Sequence, residues 1–171
     1  MTVRLWETSL FPVNGLQNQN PMSRNIPPIR PNIMRTLNAL DPTPEQIKAF
    51  LAHKKAGEPV YMLNLLKFKD RATYKDGEDI SGRDAYARYA KALSAMVKDQ
   101  EGFGAIFGGS ANAWLIGQGE GEWDAVGIFT YPDAKTMFET VSSDEYRKIH
   151  KHRRAGLAGQ LLICCDNDGV F

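Results

Sequence analysis

Asp124 is the carboxylate whose position best suits acid–base chemistry. It stands beside Trp123 at the start of an apolar segment and alternates with Val126 and Ile128. A carboxyl group among apolar neighbours can have a raised pKa and act as a general acid or base. Carboxylates at strand ends also cap loops or pair with arginine, so the sequence leaves a structural and a catalytic role for Asp124 open.

Asn64 is the polar residue in the middle of the most apolar stretch, residues 60–68. It shares one face of that stretch with Val60, Met62 and Leu66. A buried amide without hydrogen-bond partners costs roughly 1–3 kcal/mol. Asn64 therefore either holds a neighbouring loop or reaches into a pocket as a substrate-binding group.

The basic run of residues 147–154 contains His150 and His152 and ends in Arg153 and Arg154. Residues two apart on a helix point to different sides, which argues against a metal site shared by the histidines. Acidic residues near the start of this helix and basic ones near its end suit the helix dipole, which favours a solvated helix. The alternative is an anion anchor, with Arg153 binding substrate beside a catalytic His152.

Three tyrosines are the remaining candidate site residues. Tyr86 and Tyr89 lie on the inward stripe of a predicted helix, where core packing with a paired hydroxyl is the expected role. Tyr146 falls six residues before His152, so the two do not share one stripe of their helix. The two side chains can meet only through a bend in the helix or across a dimer. If they do meet, Tyr146 is a candidate substrate-binding residue.

Several familiar sites are excluded. The glycine-rich segment at residues 117–121 is followed by a strand, whereas a phosphate-binding loop needs a helix there. Residues 101–107 lack the leading basic residue and one aromatic of an RNA-binding strand. There is no Gly-x-Ser-x-Gly elbow and no Cys/His metal spacing. We predict no metal, no nucleotide or other cofactor, and no nucleic-acid partner.

The composition is that of one ordinary globular domain. The chain has 171 residues, 43% hydrophobic and 24% charged, with a formal net charge of +1, which does not direct it to nucleic acid or an acidic membrane. Its longest apolar run is too short to cross a bilayer, and no secretory signal is visible. The two cysteines are adjacent in an apolar strand, where they point to opposite faces. These features predict a soluble cytoplasmic protein without a membrane partner.

Residues 1–42 form a predicted extended arm rich in proline and asparagine, because proline removes a backbone donor and keeps the preceding residue out of a helix. The arm also carries too many apolar residues for a free solvated tail. We expect it to pack either across a neighbouring subunit or over its own domain.

Residues 43–57 form a predicted leading helix, since Thr43, Pro44 and Gln46 make a capping box. The domain proper, residues 58–171, then shows the order βαββαβ. Its predicted elements are a strand at 60–68, a helix opened by Ser81, β segments at 103–117 and 123–131 around a turn at 118–122, a helical region after Pro132 that restarts at Ser143, and a last strand at 161–165. Gly108 and Gly109 predict a bulge or a bend in the first of these β segments.

This order predicts an α+β, ferredoxin-like fold, a four-stranded antiparallel sheet with both helical regions on one face. The first and last strands are apolar on both faces, yet the helices cover only one. An open apolar face of that size is unusual for a soluble monomer, and a second copy of the same sheet is the simplest cover. We therefore predict a homodimer.

Five segments of the chain resemble the domain of unknown function 1330 family, at residues 60–68, 85–89, 122–126, 143–147 and 152–157. The resemblance covers roughly residues 58–165. It implies the dimeric α/β-barrel superfamily, in which two ferredoxin-like sheets pair, and it implies no established activity. Asn64, Tyr89, His152 and Arg153 fall on the family's motif positions, which strengthens them as site candidates.

Two functional hypotheses follow. In the first, each subunit binds or transforms a small organic metabolite, anionic or otherwise, in a pocket between sheet and helices without metal or nucleotide. The candidate catalytic residues are then Asp124 and His152, and the candidate substrate-binding residues are Asn64, Tyr89, Tyr146 and Arg153. In the second, the chain is a non-catalytic binding or assembly module whose N-terminal arm links subunits into a larger oligomer. The sequence leaves open whether the protein is an enzyme.

Overall fold

The computed structural model describes residues 39–117 and 123–168. Four helices and four strands are found there. In chain order they are α1 (Pro44–His53), β1 (Val60–Phe68), α2 (Gly82–Val97), β2 (Gly104–Ser110), β3 (Ala125–Tyr131), α3 (Ala134–Ser142), α4 (Asp144–Gly156) and β4 (Leu157–Cys165). The predicted βαββαβ order is confirmed, with α1 in front of it and the second helical region split into α3 and α4. Most of the predicted arm and the predicted turn at 118–122 lie outside the described residues, so the assembly hypothesis that depends on the arm stays a prediction.

The four strands form one antiparallel sheet in the order β2-β3-β1-β4. This is the ferredoxin-like arrangement, with β1 in the centre between β3 and β4. Met62 of β1 is level with Phe129 of β3 and with Cys164 of β4. None of the helices in the described part of the chain is long and apolar enough to span a membrane.

The helix starts follow the predicted capping signals. Thr43 Oγ1 accepts the Gln46 N–H (3.2 Å), and the Gln46 side chain accepts the Thr43 N–H (2.8 Å). Ser81 and Ser143 cap α2 and α4 in the same way, through the amide three residues on. Because a cap satisfies backbone groups that the helix itself leaves free, these short sequence signals locate the helix starts accurately.

The strand ends differ from the prediction. β4 begins at Leu157, four residues earlier than expected, because the chain leaves α4 directly into a pairing of Leu157 with Phe68. β2 ends at Ser110 instead of 117. The predicted bulge at Gly108 and Gly109 is wrong, since the irregularity lies between Ala105 and Phe107.

The core lies between the helices and one face of the sheet. On β1 the buried residues alternate with partly exposed ones, as Val60 and Met62 show. One cluster packs Met62 against Tyr131 and Ala134, and a second packs Tyr89 and its neighbours on α2 against α4. This confirms the predicted inward stripe of α2.

The start of α2 and the end of α4 approach each other at two glycines. The Lys69 N–H donates to the Gly156 carbonyl (2.9 Å), and the Gly82 N–H donates to the Lys69 carbonyl (3.1 Å). A Cβ on Gly82 would lie 2.5 Å from the Gly156 carbonyl oxygen, closer than any side chain allows. Backbone-to-backbone contact at this point sets the position of α4 over the sheet.

The other face of the sheet, here named the open face, is apolar. The strand registers place on it Tyr61, Leu63 and Leu65 of β1, Phe107 of β2, Val126 and Ile128 of β3, and Leu161 and Ile163 of β4. Phe107 is 55% exposed and Ile163 is 42% exposed. The structure therefore confirms the prediction that β1 and β4 are apolar on both faces.

Candidate functional site

A cavity of about 620 Å³ lies between the helix-covered face of the sheet and helices α1, α3 and α4. The segment at residues 39–42 forms part of its wall, and Ala39 pairs with Gln160 at the start of β4. The cavity combines elements from both ends of the described chain. It is a concave site in which several polar groups converge on a largely apolar lining, which makes it the default candidate for a ligand site.

A chain of hydrogen bonds crosses the polar end of the cavity. Gln160 Nε2 donates to Asn64 Oδ1 (2.7 Å), and Asn64 Nδ2 donates to the Met62 carbonyl (2.9 Å). Arg153 donates to the side-chain oxygen of Gln160 and to Nε2 of His150 (3.2 Å). Each side-chain nitrogen and oxygen of the two amides thus has a hydrogen-bond partner, and Gln160 helps to hold the guanidinium in one orientation.

Arg153 is the main charge at this end. Its side chain is only 12% exposed, and its other donor reaches the Leu40 carbonyl (2.6 Å). The nearest carboxylate in the described part of the chain, Asp41, is 4.0 Å away and pairs more closely with Arg154 (2.6 Å). A largely desolvated cation whose hydrogen bonds go mostly to neutral acceptors attracts an anion strongly.

His150 lines the cavity beside Arg153. Burial first, and the positive charge of Arg153 second, lower the pKa of His150 below its ordinary value of 6.5. Because arginine can only donate, Nε2 of His150 accepts, and the proton of the neutral ring lies on Nδ1. The site therefore presents a neutral imidazole N–H next to the guanidinium at neutral pH.

Tyr89 and Tyr146 form a hydroxyl pair on the cavity wall. Their oxygens are 3.0 Å apart and their rings meet edge to face. Burial raises the pKa of Tyr89 well above its usual range, so Tyr89 acts as a neutral hydroxyl. One hydroxyl donates to the other, which leaves one O–H to donate to a ligand.

The side of the cavity formed by α1 and α3 is mostly apolar, with Gln46 and His53 of α1 as its polar lining residues. Ile47 and Phe50 of α1 face Met137, Phe138 and Val141 of α3 there, and the Phe50 and Phe138 ring centroids are 5.8 Å apart. Phe50, Met137 and Cys164 also pack on the core cluster around Met62. The cavity thus has one polar and one apolar end.

The family model for the domain of unknown function DUF1330 matches residues 76–165. The chain belongs to this family. Two crystal structures of one protein of unknown function from Rhodopseudomonas palustris are similar, both at 32% identity. That of the methylated protein has a TM-score of 0.68 and covers 78% of this chain and 99% of its own; the other has a TM-score of 0.66 and covers 75% and 95%.

A dimeric protein of unknown function with a ferredoxin-like fold from Bacteroides fragilis is 12% identical, with a TM-score of 0.43, over 63% of this chain and 95% of its own. No curated protein matches the chain significantly. The family match confirms the resemblance seen in the sequence, although it starts later than the expected residue 58. It includes α2, α4 and β4 and leaves α1 and β1 outside.

The structure brings the four predicted substrate-binding residues together. Asn64, Tyr89, Tyr146 and Arg153 all line the cavity, although they come from β1, α2 and α4. Tyr146 meets Tyr89 and does not meet His152. The substrate-binding role of these four residues is a prediction that the following section develops.

Asp124 lies away from the cavity, at the end of the sheet. Its Oδ2 accepts the Phe68 N–H (2.7 Å) and its Oδ1 accepts Nζ of Lys67 (3.3 Å). Its own N–H donates to the Leu66 carbonyl (2.8 Å). These bonds extend the β1–β3 pairing by one position, and the catalytic role predicted for Asp124 receives no support from this geometry.

His152 also points away from the cavity. Its Nδ1 hydrogen-bonds the Tyr74 hydroxyl (2.5 Å), and the two rings meet edge to face. This contact holds the loop between β1 and α2 against α4. The predicted catalytic role of His152 likewise stays a prediction without geometric support.

His150 and Gln160, which both hydrogen-bond Arg153 in the cavity, are among the lining residues that the sequence analysis did not assign to the site. Tyr146, His150 and Arg153 are spaced four and three residues apart, which places them on one side of α4. That spacing was a usable signal. Gln160 had no such signal in the sequence, because it lies before the predicted start of the last strand. No group of three His, Cys, Asp or Glu side chains within residues 39–117 and 123–168 is arranged to hold a metal ion.

Proposed function

We propose that the protein binds a small organic anion in this cavity, with Arg153 as its anchor. The observation that carries the proposal is the largely buried guanidinium whose nearest carboxylate is 4.0 Å away and shared with Arg154. Taking a cation out of water costs several kcal/mol unless an anion or strong hydrogen bonds compensate. A ligand carboxylate at Arg153 would complete that compensation.

The neighbouring groups suit a carboxylate as well. The Nδ1–H of His150 and the remaining hydroxyl proton of the Tyr89–Tyr146 pair are donors on the same wall. Arginine binds carboxylates through two parallel N–H bonds, which makes its recognition directional. A donor-rich polar end favours an anionic ligand over a cation or a neutral amine.

The binding proposal is tested by titrating simple and substituted carboxylates at constant ionic strength. Arg153→Gln removes the charge, and we expect the affinity for carboxylates to fall at least tenfold. Lys148→Gln is the matched control, because Lys148 is exposed on the same helix and does not line the cavity. Equal carboxylate affinity in the wild type and in folded Arg153→Gln protein would contradict the proposal.

Arg153 also supports the wall through the Leu40 carbonyl and Gln160. Arg153→Gln could therefore weaken the fold as well as the site. Arg153→Lys keeps the positive charge without the planar fork, so we expect an affinity between those of the wild type and Arg153→Gln. Far-ultraviolet circular dichroism of each variant separates loss of binding from loss of structure.

We also propose that the protein forms a homodimer through the open face. Its exposed apolar side chains lie in one continuous sheet surface, and surfaces of this kind mark protein–protein contacts. A second copy presents the same surface and gives a closed, two-fold assembly. Cytoplasmic location remains a prediction from the sequence.

The dimer is tested by the molar mass in solution. Leu63→Glu places a charge in the centre of the open face, and we expect the mass to fall from that of a dimer to that of a monomer. Leu51→Glu is the control, because Leu51 is 48% exposed on α1, outside the open face. A wild-type monomer, or a dimer that Leu63→Glu leaves intact, would contradict the proposal.

A further inference from the structure

The charged side chains that line the cavity leave one positive charge unbalanced. Apart from histidines, three charged side chains line it, Asp41, Arg147 and Arg153. Arg147 pairs with Asp144 (2.6 Å), and Asp41 pairs with Arg154 (2.6 Å). Of these three side chains, Arg153 is the one that has no ion-pair partner closer than 4.0 Å in the described part of the chain. A monoanion would balance it, whereas a dianion would add an uncompensated charge.

The floor of the cavity changes from polar to apolar along β4. Gln160, which is hydrogen-bonded to Arg153, lies at one end, and Cys164, which packs beside Phe50 and Met137, lies at the other. Four residues of a strand span about 13 Å. The ligand that fills this length must carry hydrocarbon at the end opposite its charge.

We propose that the ligand is an amphiphilic monocarboxylate, with its carboxylate at Arg153 and an aryl or medium-length alkyl group against Phe50 and Met137. This inference rests on the anion site proposed above and names the class of ligand for it. The free hydroxyl proton of the Tyr89–Tyr146 pair and the N–H of His150 bind the carboxylate end. The paired rings of Phe50 and Phe138 contact the hydrocarbon end.

The probe is 3-phenylpropionate, titrated by calorimetry against the full chain. Three matched compounds separate the parts of the proposal. Acetate has the charge without the ring, 3-phenylpropionamide has the ring without the charge, and phenylsuccinate adds a second carboxylate. We expect the Kd of 3-phenylpropionate to be at least tenfold lower than that of each control.

Two variants locate the binding. Arg153→Gln should raise the Kd of 3-phenylpropionate at least tenfold, with Lys148→Gln unchanged. Phe50→Ala should raise the Kd of 3-phenylpropionate several-fold and leave that of acetate unchanged. Phe50 is only partly buried, so the fold is expected to tolerate its loss. Retained 3-phenylpropionate affinity in Phe50→Ala would overturn the inference.

The outcomes distinguish this inference from the proposed function. If acetate or phenylsuccinate binds as tightly as 3-phenylpropionate and Arg153→Gln abolishes binding, the anion site stands and the amphiphile is ruled out. If the amide binds as tightly as the acid and Arg153→Gln changes nothing, both are overturned, since the probe then binds an apolar surface such as the open face. Absence of binding by every carboxylate also overturns both.

Discussion

Gly82→Ala tests the close approach of α2 and α4 that positions the cavity wall. The added Cβ would lie 2.5 Å from the Gly156 carbonyl oxygen and 2.7 Å from the Lys69 amide nitrogen. Both are backbone atoms, and both take part in the hydrogen bonds that join β1 to the end of α4. Neither can rotate away as a flexible side chain would, so the helices must separate or the hydrogen bonds must lengthen.

The expected loss of stability is about 2–3 kcal/mol. Inserting a methyl group into a packed region typically costs about 1–3 kcal/mol, and contacts with rigid backbone belong at the upper end. Alanine is favoured over glycine in helices by up to about 1 kcal/mol, which offsets part of the cost. At roughly 2–4 °C per kcal/mol for a domain of this size, the melting temperature should fall by about 5–10 °C.

Urea unfolding at a fixed protein concentration measures the effect, since an oligomer's stability depends on concentration. Gly108→Ala is the control, because its Cβ would meet nothing within 4 Å; we expect its stability to stay within about 0.5 kcal/mol of the wild type. Gly156→Ala adds a methyl group to the same helix contact from the α4 side. The double variant should therefore lose less free energy of unfolding than the sum of the losses of the two single variants. A Gly82→Ala protein as stable as the wild type would refute the described helix contact.

Two further predictions concern Asp124 and the two histidines of α4. Asp124→Ala should reduce the free energy of unfolding by about 1–2 kcal/mol, because the Phe68 N–H loses a charged acceptor; carboxylate affinity should not change, and a changed affinity would place Asp124 in the site. The lowered pKa values of His150 and His152 mean that the unfolded chain binds more protons below pH 6.5, so stability should fall from pH 7 to pH 5. Urea midpoints across that range should vary less with pH in the His150→Gln, His152→Gln double variant, and an equal fall would show that other groups are responsible.

The secondary structure was largely predictable because its signals are local. The Thr43 capping box, the Ser81 and Ser143 caps and the alternation in β1 each depend on residues within a few positions of one another. The strand ends were less predictable. β4 begins early because Leu157 pairs with Phe68 across the sheet, and local propensity does not contain that pairing.

The site was predictable in part. Asn64, Tyr89, Tyr146 and Arg153 stood out as polar residues on apolar or motif-bearing segments, and the fold brings them to one cavity. His150 could have been found from its spacing to Arg153 on one helix. The choice between His150 and His152 as the cavity histidine depended on the side of α4 that faces the sheet.

By itself, the sequence determined the order of elements, the ferredoxin-like fold, the family and the apolar character of both faces of β1 and β4. The order of elements, the fold and the apolar faces follow from periodicity and capping, which act over a few residues, whereas the family follows from the resemblance of five segments. Only the tertiary structure decided that Arg153 is buried beside Gln160 and His150. It also decided that Asp124 binds the backbone at the end of the sheet and that His152 binds a loop residue. The reason is that burial and charge pairing at Arg153 depend on contacts with Leu40 and Asp41, more than a hundred residues away in the chain.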